Sequence, residues 1–402
     1  MAYYNTIKDY YQKNRSDDIE QIEQIISYDA FSMSDIYTIL EEIGQESEKA
    51  EEQSDFKNPI RPLWFRGQSK EEYTLIPSLF RERGNKRNDS NFYSTLSLAE
   101  EYRHQNLSAR VNHLIPTHLS SRVEWQEVFQ HHFGKTRFMD WSESVEIALN
   151  FALEPFIDTK NTEDNRINRS SMTPGIWVLN PYRLNEKVYD FFCDNEKTFK
   201  LIRNSLENLF SCPAYEIDKI AEKIRTEMIN NKDIYFNIDS ENIIDSAING
   251  LVSVCVLDKY YHYNAERIKK MLENFEFNPF FFLLVRYYAD ALPVAADVNK
   301  TLLPPLASIQ PYHSERIRAQ RGTFTIFPNY YRTEAAQDLA RSKMDVIPIE
   351  SQKYISDCFY YIRLCDHVRI ARELIYAGER RPVLYPDIQV YADYLETQKF
   401  FL

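Results

Sequence analysis

Glycine is scarce in this chain: it accounts for 8 of 402 residues, where average usage near 7% would give roughly 28. A chain this poor in glycine keeps one where the backbone needs a positive φ or where another group must approach closely. Three glycines lie in segments rich in charged and aromatic residues, at 64–69 (WFRGQS), 130–144 (QHHFGKTRFMDWSES) and 315–327 (ERIRAQRGTFTIF). We predict that these segments form the walls of one polar site. Three ordinary turns are the alternative.

Cysteine is also sparse, and histidine is poorly placed for metal binding. The five cysteines form no CxxC pair and leave an odd thiol, which predicts a reduced, cytoplasmic protein without a disulfide framework or a cysteine-based zinc site. His131 and His132 are adjacent, so their side chains diverge on regular backbone. We therefore predict no metal, and we interpret His132 as an acid–base group or ligand donor.

Excess positive charge and long apolar runs are both missing. A net charge of −12 and a pI near 5.3 argue against general electrostatic coating of nucleic acid. The longest apolar run, 279–296, contains Arg286 and Asp290, so it is too broken to span a bilayer. The first residues lack the order of a signal peptide. No membrane partner is expected, whereas local arginine clusters leave room for an anion-binding pocket.

Hydrophobic periodicity divides the chain into four regions. We predict a helical segment at 1–58, a first half of the main domain at 59–185, a helical insertion at 186–302 and a second half at 303–402. Strand patterns occur at 63–65, 176–179, 306–309, 323–327 and 358–362, and a helix is indicated at 144–156. The residues from Ser32 to Asp35 predict the start of another helix, and the insertion shows helical spacing. The resulting fold class is α+β, with a mixed or antiparallel core sheet wrapped by helices and interrupted by the insertion.

Several segments together resemble the FRG domain family, named for its Phe-Arg-Gly motif. The matching pieces are WFRGQS at 64–69, LIPSLFR at 75–81, QHHFGKTRFMDWSESVEIALNFA at 130–152, PGIWVLNPYRLNE at 174–186, RIRAQRGTFTI at 316–326 and ELIYAG…LYPDI at 373–388. The resemblance covers roughly 60–185 and 303–395. One departure is the turn at 133–136, where Phe-Gly-Lys-Thr replaces the family's Gly-Leu-Pro-Thr.

The order of these pieces also resembles that of ADP-ribosyltransferases. An aromatic-Arg-Gly strand comes first, then a Ser/Thr strand leading into an Ala-x-x-Phe-Ala helix at 148–152, then a late strand with a polar residue. The resemblance implies that Arg66 anchors the phosphates or ribose of NAD and that a Ser or Thr braces the first strand. Gln320 stands where the family has a glutamate. A glutamine can hydrogen-bond a ribose but cannot act as a base.

These resemblances lead us to expect an NAD-using ADP-ribosyltransferase-like enzyme or NAD glycohydrolase, acting as a toxin or effector in bacterial or phage defence. NAD is then a substrate, and the acceptor is a protein or nucleic acid. The expected catalytic residues are Arg66, His132, Thr136 and Gln320, and the expected NAD contacts are Arg66, Gln68, Arg137 and Arg316. The alternation of Arg316, Arg318 and Gln320 indicates an extended or turn segment.

Two other functions remain open at this point. One is a non-catalytic module that binds a nucleotide or a protein partner in the same pocket. The other is a metal-independent nuclease that uses His132 and arginines. Arg66 itself has a structural alternative, an ion pair with Asp140. Ser142 is interpreted as the N-cap of the following helix.

Overall fold

The computed structural model describes residues 25–51, 62–81, 106, 109–110, 122–131, 134–157, 172–195, 216–230, 249, 304–308, 315–327, 349–351, 354–378 and 384–385. The strands in these ranges are β1 (Ile26–Ala30), β2 (Trp64–Gln68), β3 (Phe138–Ser142), β4 (Gly175–Leu179), β5 (Leu306–Ser308), β6 (Gly322–Ile326) and β7 (Phe359–Leu364). The α-helices are α1 (Met33–Glu51), α2 (Arg122–His131), α3 (Val145–Ile157), α4 (Pro181–Asn195), α5 (Ile217–Asn230), α6 (Glu315–Ala319) and α7 (His367–Tyr376).

The seven strands form one mixed sheet in the order β1-β7-β4-β2-β3-β6-β5. Strand β1 runs parallel to β7, and every other neighbouring pair is antiparallel. Strands from before and after the 186–302 region therefore share a single sheet. The mixed sheet with its helices confirms the α+β fold class.

One face of the sheet is closed by helices α1, α3 and α7. Helix α3 packs most closely on β2, because its sequence is apolar over nearly its whole length. Alternate strand residues such as Phe65, Val178 and Ile362 point into the same buried cluster as Ala148 and Ala152 of α3. This cluster is the main hydrophobic core, and it holds β2 in the middle of the sheet.

The beginning of the described chain departs from the helical segment predicted for 1–58. Residues 26–30 form strand β1, whose Tyr28 lies opposite Ile362 of β7. Pairing with β7 provides backbone hydrogen bonds along one edge of this segment. That pairing is a long-range contact which local spacing does not encode. Helix α1 begins where Ser32 predicted it, since the Ser32 hydroxyl accepts a hydrogen bond from the Asp35 amide at 3.2 Å.

The described parts of the predicted insertion are helical. Helix α4 crosses the first boundary of the insertion, and α5 lies inside the insertion. Most of 196–302 falls outside the described residues, so an all-helical insertion stays a prediction.

Asn185 of α4 contacts the edge strand β5. Its side-chain amide accepts from the Ala307 N–H at 2.8 Å and donates to the Ala307 carbonyl at 2.9 Å. Among the described helices, none has the length and apolarity to cross a membrane.

Candidate functional site

Arg66 lies at the junction between β2 and β3, where the two strands are paired at a single position. Strand β2 pairs with β4 over five residues, but its register with β3 is the single pair Phe65 and Ser142. The Arg66 Nη1 donates to the main-chain oxygen of Asp140 at 2.5 Å and lies 4.0 Å from its Oδ2. The guanidinium therefore links the two strands beyond the point where their backbones pair.

The charge on Arg66 is only partly compensated. Its side chain is 21% exposed, and that of Asp140 is 44% exposed. Burial lowers the pKa of the Arg66 guanidinium, while the nearby Asp140 carboxylate acts in the opposite direction. An arginine still stays protonated at neutral pH. The junction therefore presents a half-buried cation whose ionic contact with Asp140 lies at the limit of salt-bridge distance.

Polar atoms beside Arg66 are buried without hydrogen-bond partners among the described residues. Trp64, Arg66 and Gln68 alternate along β2 and so share one side of the strand. Their unpartnered atoms are Trp64 Nε1, Arg66 Nε and Gln68 Oε1, and Asp140 Oδ1 on β3 is in the same state. Gln68 is 7% exposed. Leaving such a group unsatisfied costs about 1–3 kcal/mol, so these atoms are candidates for contact with a bound group.

Behind Asp140 a chain of side-chain hydrogen bonds leads into the core. The Gln130 amide donates from Nε2 to Asp140 Oδ2 at 2.9 Å, and its Oε1 accepts from the Thr136 hydroxyl at 2.5 Å. The same hydroxyl accepts from the Phe138 amide at 3.1 Å. Thr136 is 0% exposed. It therefore contacts other side chains of the protein, where the sequence led us to expect contact with the ribose.

Two other expected contact residues are occupied within the fold. Arg137 is completely buried, and its Nη1 donates to the Phe327 carbonyl at 2.9 Å. Gln320 is buried, and its amide donates to the Leu384 carbonyl at 3.2 Å. Either residue would have to break its bond to reach a ligand, so the expected ligand contacts of Arg137 and Gln320 stay predictions.

Arg316 lies on a different element from the one its spacing suggested. Residues 315–319 form helix α6, whereas the sequence indicated an extended or turn segment. The Arg316 guanidinium stacks over the Tyr385 ring, 4.7 Å from its centroid, and Phe151 of α3 meets the same ring edge-on. His132 lies outside the described residues.

The cap of α3 also differs from the prediction. Ser144, rather than Ser142, accepts the Ile147 amide at the start of the helix, at 3.4 Å. Ser142 belongs to β3, and its hydroxyl donates to the main-chain oxygen of Gln320 at 2.8 Å. Ser142 therefore ties β3 to the turn that precedes β6.

Gly67 is needed for packing against the protein rather than against a ligand. A Cβ at this position would lie 1.8 Å from the Ala148 carbonyl oxygen and 2.7 Å from the Ala152 nitrogen, both in the backbone of α3. A Cβ at Gly134 would meet the Phe129 ring at 2.2 Å. The three glycine-containing segments nevertheless contribute β2, β3 and β6, which are direct neighbours in the sheet.

Sequence reasoning missed the roles of Asp140 and Gln130. The sequence indicates Asp140 only as a cap or ion-pair partner, and Gln130 only as part of a motif. One signal was available: a charged residue in the middle of the apolar strand Phe138–Ser142 requires a partner. Within the described ranges, no cluster of three His, Cys, Asp or Glu side chains is placed to hold a metal ion.

Comparison with known proteins identifies part of this region. Residues 61–161 match the FRG domain family. The FRG match contains β2, α2, β3 and α3, and therefore Arg66, Gln130 and Asp140. Strands β4, β6 and β7 lie beyond the matched segment yet complete the same sheet. No curated protein and no solved structure matches the chain.

Proposed function

We propose that the FRG region binds a dinucleotide of the NAD type beside Arg66 and cleaves its nicotinamide–ribose bond, in the manner of an ADP-ribosyltransferase or NAD glycohydrolase. The observation that carries the proposal is the set of unpartnered buried atoms at Arg66, Gln68 and Asp140. Arg66 and Gln68 lie on β2, and Asp140 of β3 accepts from the Arg66 guanidinium through its main-chain oxygen.

The chemistry of these atoms favours a ligand with both acceptors and donors. Arg66 offers a planar fork of N–H groups that suits phosphate oxygens. Gln68 Oε1 is a hydrogen-bond acceptor, and Asp140 Oδ1 is one as well when the aspartate is ionised. Both oxygens therefore suit the hydroxyl groups of a ribose. A simple anion would satisfy the arginine and leave both acceptors unmet. A nucleotide diphosphate with its riboses satisfies all three.

The resemblance to ADP-ribosyltransferases adds support from the arrangement of strands. The Arg66 strand β2, the Ser/Thr strand β3 and the late strand β6 are consecutive in the sheet. Ser142 of β3 lies opposite Phe65 of β2, a position from which it would brace the first strand. Since Gln320 is bonded to Leu384, we assign the acidic role to Asp140 instead.

The proposed reaction breaks the bond between the ribose C1′ and the nicotinamide nitrogen, and nicotinamide leaves with the bonding electron pair. Positive charge develops on the sugar, and the Asp140 carboxylate would stabilise it electrostatically. Water or an acceptor hydroxyl then forms a C1′–O bond and releases its proton to solvent. Arg66 would hold the diphosphate so that the sugar remains beside Asp140.

Binding without turnover is the second candidate. The burial of Thr136 and the bonding of Gln320 to Leu384 favour it, because both residues were expected to assist the reaction. A module of this type would use the same contacts at Arg66, Gln68 and Asp140. The two candidates therefore differ in whether nicotinamide is released, not in where the ligand sits.

Calorimetric titration of the full chain with ADP-ribose, NAD and inorganic phosphate tests binding, and chromatography of nicotinamide tests turnover. We expect ADP-ribose and NAD to bind more tightly than phosphate, and Asp140→Asn to abolish nicotinamide release while NAD still binds. Binding by the wild type without any release would favour the non-catalytic module. Failure of both ADP-ribose and NAD to bind would refute the proposal.

A further inference from the structure

The hydrogen bonds behind Asp140 reach from the buried core to the guanidinium of Arg66. Gln130 on α2 contacts Thr136 through one end of its amide and Asp140 through the other. Asp140 in turn holds Arg66 through its main-chain oxygen. We infer that Gln130 is a positioning residue, which fixes Asp140 and thereby sets the orientation in which Arg66 meets its ligand.

The direction of each bond defines which way the Gln130 amide is turned. The Asp140 carboxylate can only accept, so it takes the N–H of Nε2. The Thr136 hydroxyl already accepts from the Phe138 amide, so it is free to donate to Oε1. A flipped amide would place its oxygen against the carboxylate, which has no hydrogen to donate. Asp140 therefore selects the amide orientation, and the Thr136 hydroxyl supports it by donating to Oε1.

The network is also anchored at its far end. The Thr136 amide donates to the Ser78 hydroxyl at 3.2 Å, and the Thr136 carbonyl accepts from the Leu79 amide at 3.1 Å. The backbone of Thr136 is thus fixed by a separate segment before its hydroxyl meets Gln130. The Thr136 hydroxyl can therefore hold Gln130 in place, because moving Thr136 would also break its backbone hydrogen bonds to Ser78 and Leu79.

Two measurements test the inference, and the first rests on the proposed function. Calorimetry with ADP-ribose should show about ten-fold weaker binding for Gln130→Ala, the equivalent of one hydrogen bond near 1.4 kcal/mol. Gln130→Glu should weaken binding at least as much, because it places a second carboxylate against Asp140. Thr136→Val should match Gln130→Ala, and Thr136→Ser, which keeps the hydroxyl, should restore wild-type affinity.

The second measurement needs no ligand. The rate at which an arginine-selective dicarbonyl reagent modifies Arg66, followed by mass spectrometry of peptides, reports how firmly the guanidinium is held. We expect faster modification in Gln130→Ala and Thr136→Val, and the wild-type rate in Thr136→Ser. Asn185→Ala is the matched control, because it removes a bonded amide at β5, the edge strand of the sheet.

The outcomes separate positioning from general stability. Asn185→Ala should lower the melting temperature while leaving both the ADP-ribose affinity and the Arg66 modification rate unchanged. An unchanged Arg66 modification rate in Gln130→Ala, or an equal increase in Asn185→Ala, would overturn the inference. If wild type fails to bind ADP-ribose, the proposed function fails, and the modification rates alone decide whether Gln130 positions Arg66.

Discussion

The two sides of strand β2 differ in how completely their groups are satisfied. Phe65 and Gly67 face α3, where packing is so close that not even a methyl group fits at position 67. Arg66 and Gln68 alternate with them and leave buried polar atoms without partners in the described part of the chain. The five residues of β2 therefore combine a close-packed apolar side with a polar side whose buried groups are not all hydrogen-bonded.

This difference separates the side of β2 that stabilises the fold from the side to which we assign a function. The apolar side follows from sterics alone, since close packing gains dispersion contacts and removes water. The polar side lowers the stability of the protein, because the Gln68 amide oxygen and the Arg66 Nε are buried without a partner among the described residues. Each such group costs free energy that folding does not recover. We infer that a ligand recovers it, and that the rigid contact with α3 holds the polar side in place.

Gly67→Ala should have the largest effect on stability. The added methyl would overlap backbone atoms of α3 at Ala148 and Ala152, which cannot move aside as a side chain would. We expect a loss of roughly 3 kcal/mol or more in the free energy of unfolding, measured by urea denaturation. Gly44→Ala is the control, because Gly44 lies within α1 with nothing within 4 Å of the added carbon.

The control should change stability in the opposite direction. Alanine is favoured over glycine inside a helix by about 0.5–1 kcal/mol, so Gly44→Ala should stabilise the chain. If Gly67→Ala were as stable as wild type, β2 and α3 would not be in the close contact that the structure shows, and the comparison between the two sides of β2 would fail.

Glu350→Gln should have the next largest effect, and the effect should depend on pH. Glu350 is completely buried and accepts the Leu75 amide at 3.0 Å. Burial raises the pKa of its carboxyl from 4.5 to about 8, although the Leu75 hydrogen bond acts against the rise. The folded chain therefore binds more protons than the unfolded chain between those values, and stability falls as pH increases from 4.5 towards 8.

Replacing this carboxyl with an amide should remove that dependence. The amide oxygen introduced by Glu350→Gln can accept from the Leu75 N–H without carrying a charge. The variant should therefore be more stable than wild type near pH 8, by roughly 2–4 kcal/mol. Urea unfolding across the pH range measures the difference. Equal slopes of stability against pH in the two proteins would show that Glu350 does not hold its proton in the folded state.

Gln68→Leu should have a smaller effect on stability and a decisive one on binding. Replacing a buried amide that has no partner for its oxygen among the described residues by an apolar side chain of similar size should stabilise the free protein by about 1 kcal/mol. The same change should remove the melting shift that ADP-ribose produces. Thr323→Val is the matched control, because its buried hydroxyl also lacks a partner within the described ranges but lies on β6.

Thr323→Val should raise the melting temperature and keep the ADP-ribose shift. A fall in melting temperature for Gln68→Leu would mean that the Gln68 amide is already satisfied in the free protein. Trp64 Nε1 and Arg66 Nε would then be the remaining unpartnered atoms on this side of β2 within the described residues.

The sequence predicted the fold better than it predicted the site. Helix α3 and strands β2, β4, β6 and β7 were predicted near their observed places, because their periodicity is strong and local. Strand β1 was missed, since what makes Ile26–Ala30 a strand is its pairing with β7, which lies far away along the chain. Burial of that kind is decided by tertiary contacts.

For the site, chemistry-bearing residue types were recognised but their orientation was not. Arg66 and Gln68 were expected at a ligand, and they lie together on β2. Thr136 and Gln320 were expected there too, but the fold uses their polar groups internally. Whether a polar side chain faces a ligand or the protein depends on neighbours that are distant in sequence, so motif spacing alone could not distinguish the two.

The most direct test of the central claim compares ADP-ribose binding by wild type, Arg66→Lys and Arg66→Ala, with melting temperatures measured in parallel. We expect Arg66→Lys to bind at least about ten-fold more weakly, because lysine keeps the charge but loses the planar fork, and Arg66→Ala to show no ADP-ribose or NAD melting shift. Arg66→Ala should remain folded with a slightly lower melting temperature, because only the bond to the Asp140 carbonyl is lost. Unfolding of Arg66→Ala would show that Arg66 serves mainly to link β2 and β3, and wild-type affinity in either variant would show that its guanidinium does not hold the ligand. Either result would contradict the claim.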